Sequence, residues 1–111
     1  MSKNALRITA VVLVLVVAAI TPALAADAAV GHAVFDKKCK MCHGAAGEGN
    51  PGMAKALNTT IQPLGSPEVQ KMSDADLKKV ITQGKGKMKP PAGLSAADVD
   101  NVIAFVRTLK K

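Results

Sequence analysis

Both cysteines of this 111-residue chain, and one of its two histidines, lie within five consecutive positions. The motif reads Cys39-Lys40-Met41-Cys42-His43. A disulfide between two cysteines this close would close a very small ring, which constrains the unfolded chain little and stabilises the fold little. Such a disulfide would also have no need of the adjacent histidine. A chemical role for the motif therefore explains it better than a structural cross-link.

The apolar composition predicts a core that side chains alone do not complete. Phe35 and Phe105 are the only residues among Phe, Tyr and Trp in the chain. A domain this small buries too little surface to offset the conformational entropy of its chain. We therefore expect a group outside the chain to complete the core.

The first 25 residues have the pattern of a secretory signal. A short basic segment precedes an apolar run from Ile8 to Ile20, and Ala23-Leu24-Ala25 matches an A-x-A cleavage site. The alternative is an uncleaved membrane anchor, but Pro22 near the end of a barely sufficient run weakens it. In either case the folded domain, residues 26–111, is predicted to lie outside the cytoplasm, in the periplasm.

Three segments of that domain have helical patterns. The first runs from Ala28 to Lys38, with Asp27 as its N-cap. The second follows the N-cap Ser73 and stops at Gly84, and the third begins with a capping box at Ser95. No segment shows the alternation typical of a strand. The fold class is therefore predicted to be all-α, with three or more helices.

Two segments, 44–65 and 84–93, are rich in glycine and proline and lack sustained periodicity. Within the first, Met53 to Leu57 is compatible with a helical turn. Loops this long are uncommon in a compact domain unless they surround something. Both segments therefore predict a bulky apolar group enclosed by the chain.

The cysteine motif indicates which group this is. C-x-x-C-H is the attachment pattern of c-type haem, in which two thiols reach two vinyl groups and the imidazole binds iron. Cys39 and Cys42 would form the thioethers, and His43 would be the proximal ligand. Together with the export signal and the incomplete core, the motif predicts one covalently bound haem c.

Other uses of the two cysteines fit the chain less well. A thioredoxin-like C-x-x-C is typical of a βαβ setting, which the sequence lacks. A zinc site at Cys39, Cys42 and His43 would need a fourth ligand and usually a second ligand pair. Haem attachment is therefore the main hypothesis.

The chain resembles the small class I monohaem cytochromes c of bacteria over nearly all of residues 26–111. The resemblance rests on Gly31, Phe35 and KKCKMCHG near the start, GKGKM in the middle and VIAFVRTLKK at the end. It implies that the first and last helices cross closely. Gly31, which has no Cβ, would let the backbones approach, while Phe35 and Phe105 pack near the crossing.

The resemblance also implies a second axial ligand. Met88 matches the thioether ligand of the family and is the one apolar side chain in its glycine, lysine and proline run. The family usually has proline directly after this methionine, whereas here Lys89 follows, so the loop could sit differently over the haem. A proline carbonyl, of Pro51 or Pro63, is expected to accept a hydrogen bond from His43.

The remaining methionines and His32 fit the second ligand position less well. Met41 lies inside the attachment motif, and Met72 fits a hydrophobic staple with Leu77. Met53, in the first irregular segment, stays possible but is expected at the surface. His32, on the first helix, is expected to be a solvated helix residue.

A neutral thioether opposite an imidazole favours ferrous iron and leaves no open coordination position. The sequence therefore predicts a periplasmic electron carrier between respiratory redox partners, a monomer and not an enzyme. One alternative is a haem subunit of a larger dehydrogenase or oxidase. Another is a haem enzyme or sensor with an open sixth site.

Lysines crowd both segments expected at the exposed haem edge, and they are Lys37, Lys38, Lys40, Lys85, Lys87 and Lys89. A positive rim of this kind could steer an acidic redox partner. It could equally be a general solubilising surface, because Asp36 and Glu48 interrupt the first group. No nucleic-acid partner is expected.

Overall fold

A computed structural model describes residues 25–111, so the predicted signal segment lies outside the described residues except for Ala25. The helices are α1 (Ala28–Lys38), α2 (Lys40–His43), α3 (Pro51–Ala56), α4 (Pro67–Gln70), α5 (Asp74–Gln83) and α6 (Ala96–Thr108). This part of the chain contains no strand, and the one isolated β-bridge joins Lys85 and Met88. The prediction of an all-α fold is confirmed. None of these helices has the length and apolar character needed to span a bilayer.

The three predicted helices begin at their predicted caps. The Asp27 carboxylate accepts hydrogen bonds from two amides in the first turn of α1, at 2.9 and 3.2 Å. The Ser73 hydroxyl caps α5, and Ser95 and Asp98 make both hydrogen bonds of a capping box on α6. Gly84, with φ 78°, ends α5. Local cap chemistry therefore sets these boundaries.

Helices α2, α3 and α4 were not predicted as elements. They have only four, six and four residues, which is too short for a helical period to show in sequence. The turn expected from Met53 to Leu57 is part of α3. Asn50-Pro51 and Ser66-Pro67 each place a capping side chain before a proline at the first helical position, and this signal could have located α3 and α4.

Helices α1 and α6 cross at Gly31. A Cβ at this position would overlap the backbone carbonyl of Asn101. The rings of Phe35 and Phe105 meet beside the crossing, with centroids 5.0 Å apart and planes inclined by 56°. The predicted close crossing is therefore confirmed, and Asn101 is the neighbour that sequence alone did not identify.

A second apolar cluster lies between α5 and α6, centred on Leu77, Val99 and Ile103. Met72 packs against this cluster, as the staple with Leu77 predicts. The buried apolar side chains of residues 25–111 are Phe35, Leu77, Val99, Val102, Ile103, Phe105 and Val106. Most of them come from α6, so this helix is the centre of a small core.

Arg107 of α6 holds the connection between α4 and α5 against α6 through hydrogen bonds. Its guanidinium donates to the carbonyls of Gln70 and Met72 at 2.9 and 2.7 Å, and to the Asp74 carboxylate at 2.7 Å. Gln70 in turn donates to the carbonyl of Val106 at 2.9 Å. These bonds satisfy carbonyls at the end of α4 and hold that segment on α6.

Candidate functional site

The C-x-x-C-H motif forms a single helical turn, which we call the attachment turn (residues 39–43). Cys39 follows the last residue of α1, and its carbonyl accepts hydrogen bonds from the amides of Cys42 and His43 at 3.3 and 3.0 Å. Cys39, Cys42 and His43 are all half-buried, and both cysteines are free thiols. The structure thus brings these three predicted site residues together on one turn.

Burial sets the protonation of this turn. Burial, with a smaller contribution from Cys42, raises the pKa of the Cys39 thiol to about 11. Burial also lowers the pKa of His43. At neutral pH the Cys39 side chain is therefore a thiol, and His43 is the neutral imidazole that a metal requires.

The His43 ring lies beside the buried Phe35, with ring centroids 6.4 Å apart. Its Nδ1 atom is buried and has no hydrogen-bond partner within residues 25–111. The expected bond to the carbonyl of Pro51 or Pro63 is therefore not formed. Two free thiols and a neutral imidazole with an unpaired ring nitrogen nevertheless fit the donors that covalent haem needs.

The alternative uses of the cysteines find no support in the described part of the chain. Cys39 and Cys42 are not joined by a disulfide. No three His, Cys, Asp or Glu side chains of residues 25–111 form a group that could hold a metal ion such as zinc. The same residues contain no strand, so a βαβ redox motif is absent.

Met88 lies in a tight turn that follows α5. Gly84 and Gly86 have φ values of 78° and 57°, which let the chain reverse so that Lys85 and Met88 exchange two backbone hydrogen bonds of 3.0 and 2.9 Å. The Met88 side chain is half-buried. No hydrogen bond or aromatic contact of the described residues joins it to the attachment turn.

The side chain of Lys38, the last residue of α1, reaches the segment that carries Met88. A Cβ on Gly93 would be 4.0 Å from Nζ of Lys38. A cavity of about 200 Å³ lies between this segment and α5 and α6, and its lining consists of Ile81, Thr82, Pro91, Gly93, Leu94 and Val99. The segment that carries Met88 therefore borders this cavity and is reached by a side chain from the last turn of α1, directly before the attachment turn.

The other four candidate ligands lie in different environments. Met72 packs in the α5–α6 cluster, and Met53 is half-buried in α3. Met41 is 74% exposed, consistent with a position in the attachment turn that faces outwards. His32 is exposed as expected, but its ring also stacks on Phe105 with centroids 4.4 Å apart. That stacking depends on the helix crossing, so no local sequence signal could have predicted it.

Asn50 is the residue at this site that the sequence analysis missed. Its backbone amide donates to the carbonyl of Cys42 at 2.9 Å, and its side-chain amide donates to the carbonyl of Met41 at 3.0 Å. The preceding amide, of Gly49, donates to the carbonyl of His43 at 2.6 Å. The Asn-Pro step predicts only a helix cap here, not these bonds.

Comparisons with known proteins show which family this chain resembles in sequence and fold. Residues 26–106 match the family described as cytochrome C oxidase, cbb3-type, subunit III. The chain is 39% identical to cytochrome c6 of Picosynechococcus sp., over 94% of this chain and 92% of that protein. It is 37% identical to cytochrome c-554(547) of Halothiobacillus neapolitanus, over 78% of this chain and all of that protein. A solved structure, the KustC0563 c-type cytochrome, superposes with a TM-score of 0.62 at 27% identity and covers 73% of this chain and 98% of its own.

Proposed function

Because this chain belongs to the small class I cytochromes c, with one covalently bound haem c, we propose that Cys39 and Cys42 carry the thioether bonds and that His43 is the proximal iron ligand. One observation carries this assignment: two free thiols and a neutral imidazole share one half-buried helical turn. The turn begins where α1 ends, so the α1–α6 crossing holds it in place. The buried Phe35 ring lies beside His43 and adds apolar surface next to this ligand.

Met88 is the second axial ligand in this proposal. Its backbone is fixed by the glycine turn, its side chain is half-buried, and the Lys38 side chain at the end of α1 reaches its segment near Gly93. Met72 is already committed to the α5–α6 cluster. A histidine and a methionine together fill both axial positions, which favours electron transfer over binding of oxygen or substrate.

The chain is a c-type electron carrier that works with redox partner proteins. Bound haem supplies a one-electron couple between ferric and ferrous iron. The protein supplies the covalent attachment, the axial side chains and an apolar enclosure. We place this activity in the periplasm between respiratory partners, with residues 1–25 removed as a signal peptide and residues 26–111 as a monomeric domain.

An acidic surface on the partner fits the charge of this face. The full chain has a net charge of +7, and without the two positive charges of Lys3 and Arg7 in the signal segment, residues 26–111 carry +5. The six lysines of the two segments are all exposed. The acidic residues that interrupt the first group have other contacts. Asp36 lies 3.6 Å from the ring of His32, and the Glu48 carboxylate accepts from the Ala46 amide at 2.8 Å. The lysines therefore remain available to steer a transient encounter, and the exposed Met41 offers an apolar contact among them.

A second candidate function is favoured by the family match, whose description names an oxidase subunit. In that case the chain would be purified as part of a larger complex. Gel filtration of the native protein after mild extraction separates the two, since a free carrier elutes at the size of one small domain. Elution with an oxidase would favour the subunit role.

The attachment is tested by extracting the haem. Protein from a strain with cytochrome c maturation machinery should keep its colour through acid–acetone extraction. Replacing both Cys39 and Cys42 by Ala should release the colour, and this double variant is the control. If the wild-type colour is extracted, the thioether assignment is wrong. Mass spectrometry of the same sample should find an N-terminus near Ala26, whereas an intact Met1 would favour the anchor.

A further inference from the structure

The last backbone carbonyls of the attachment turn have no hydrogen-bond donors within the helix. Helix α2 stops at His43 because Gly44, with φ 81°, turns the chain away. The carbonyls of Met41, Cys42 and His43 therefore have no helical amides following them. Unsatisfied carbonyls at a helix end need other donors.

All three carbonyls find their donors in the Gly49-Asn50 pair. The Gly49 amide donates to the His43 carbonyl at 2.6 Å, and the Asn50 amide donates to the Cys42 carbonyl at 2.9 Å. The third donor is the Asn50 side chain, whose Nδ2 lies 3.0 Å from the Met41 carbonyl. A two-residue segment thus holds three consecutive carbonyls of the turn.

The remaining hydrogen-bonding atoms of Asn50 bind the first turn of α3 rather than the attachment turn. Its Oδ1 accepts from the amides of Gly52 and Met53 at 2.9 and 3.3 Å, which caps α3. Its carbonyl accepts from the Ala54 amide at 3.0 Å. A serine or aspartate could supply the capping oxygen, but neither has a side-chain NH₂ group to donate to the Met41 carbonyl. Among the good N-cap residues, only asparagine does both at this length.

We propose that Asn50 is a positioning residue for iron ligation by His43, an inference that rests on the proposed function. The His43 ring makes no hydrogen bond of its own within the described residues, so its direction depends on the backbone of the attachment turn. Asn50 fixes that backbone and ties it to the first turn of α3. Loss of the side-chain amide frees the Met41 carbonyl and leaves only the two backbone bonds to hold the turn, so its imidazole can change orientation.

The test compares two cap variants of the haem-loaded, full-length chain. Asn50→Ser keeps a capping oxygen for α3 and removes the amide donor. Ser73→Ala removes the cap of α5, a hydrogen bond from the Asp76 amide that involves no residue of the attachment turn. The readouts are the paramagnetically shifted haem methyl resonances and the electron paramagnetic resonance of the ferric protein, both of which report imidazole orientation, together with the midpoint potential.

Asn50→Ser is expected to shift the methyl resonances and the midpoint potential. Ser73→Ala is expected to lower the unfolding temperature and leave both unchanged. A haem-loaded Asn50→Ser protein with wild-type spectra and potential would overturn the proposal, while the haem assignment would stand. A wild-type protein without covalent haem would instead overturn the proposed function.

A second variant keeps the test decisive if Asn50→Ser does not take up haem. Asn50→Asp has the same shape and retains the cap, but it places a carboxylate oxygen against the Met41 carbonyl. Its added charge also affects the potential, so the methyl resonances are the readout for this variant. A shifted pattern, or failure of both Asn50 variants to load haem while Ser73→Ala loads normally, supports the proposal. A wild-type pattern in Asn50→Asp contradicts it.

Discussion

Gly31 of α1 lies against the backbone carbonyl of Asn101 in α6, close enough that no side chain fits between the two helices. The N-cap of α1 is also joined to α6, because the Asn101 side chain accepts a hydrogen bond of 2.8 Å from the amide of Asp27. Because the attachment turn follows directly from α1, this crossing determines where the cysteines and His43 are held.

Gly31→Ala tests the close crossing, because helix propensity and overpacking would change the unfolding free energy in opposite directions. Helix propensity alone favours alanine in a helix by about 1 kcal/mol. Overpacking against the Asn101 backbone should instead cost about 2–3 kcal/mol of unfolding free energy. Chemical denaturation of the haem-loaded protein measures the change. Ala33→Gly, at an exposed position of the same helix, is the control and should lose about 1 kcal/mol. A more stable Gly31→Ala protein would show that the helices do not approach this closely.

The long helices could be predicted from sequence because their caps and apolar stripes are local features. Asp27, Ser73 and Ser95 all cap the helices for which they were chosen. The approach of Gly31 to Asn101 could be predicted only in part, since a glycine indicates a close contact without naming its partner. The short helices α2 to α4 could not be predicted from periodicity, because fewer than two turns carry no period.

The hydrogen bonds of Arg107 should contribute more to the unfolding free energy than an exposed ion pair does. Arg107→Met removes the donors to the carbonyls of Gln70 and Met72 and leaves them unpaired. We expect a loss of about 1.5–3 kcal/mol in unfolding free energy. Lys78→Met is the matched control, because Lys78 pairs with Asp100 at 3.0 Å where both side chains are about half exposed. That change should cost less than about 1 kcal/mol. Equal losses of unfolding free energy in the two variants would show that the Arg107 hydrogen bonds contribute no more than an exposed ion pair.

The Glu48 carboxylate should make the stability of the fold decrease as the pH falls into the acid range. Hydrogen bonds from its own amide and that of Ala46 lower the pKa of this carboxyl below its ordinary value of 4.5. The folded state therefore favours the charged form, so the contribution is present above the unfolded pKa and is lost as pH falls through the folded pKa. Glu48→Gln should lower the unfolding temperature at neutral pH, and the difference from wild type should shrink in acid. A difference that is the same at both pH values would show that the carboxylate charge is not responsible.

Within the site, the sequence predicts the grouping of residues that are adjacent along the chain. It does not predict the contacts between residues that only the fold brings together. Cys39, Cys42 and His43 share a turn because five residues of helix place them together. The hydrogen bonds of Asn50 to this turn join residues eight and nine positions apart in the chain, so no spacing rule reveals them. The position of Met88 relative to His43 depends on the whole path of α5 and the glycine turn. The sequence therefore leaves its role as a ligand to experiment.

Replacing Met88 by Ala tests the second axial ligand and, through it, the electron-transfer function. Loss of the neutral thioether should lower the midpoint potential, because ferrous iron loses the ligand that favours it, and should let carbon monoxide bind the reduced protein readily. A redox titration followed by absorption spectroscopy and a carbon monoxide binding rate measure the two effects.

Met53→Ala and Met72→Ala are the matched controls for Met88→Ala. Both should leave the potential nearly unchanged, although Met72→Ala should cost about 1 kcal/mol or more in stability because Met72 packs against the Leu77 cluster. If wild-type protein binds carbon monoxide as fast as Met88→Ala, the sixth position is open and a sensor or enzyme explains the protein better. If only Met53→Ala lowers the potential, the ligand lies in α3, and the fold and the attachment turn still stand.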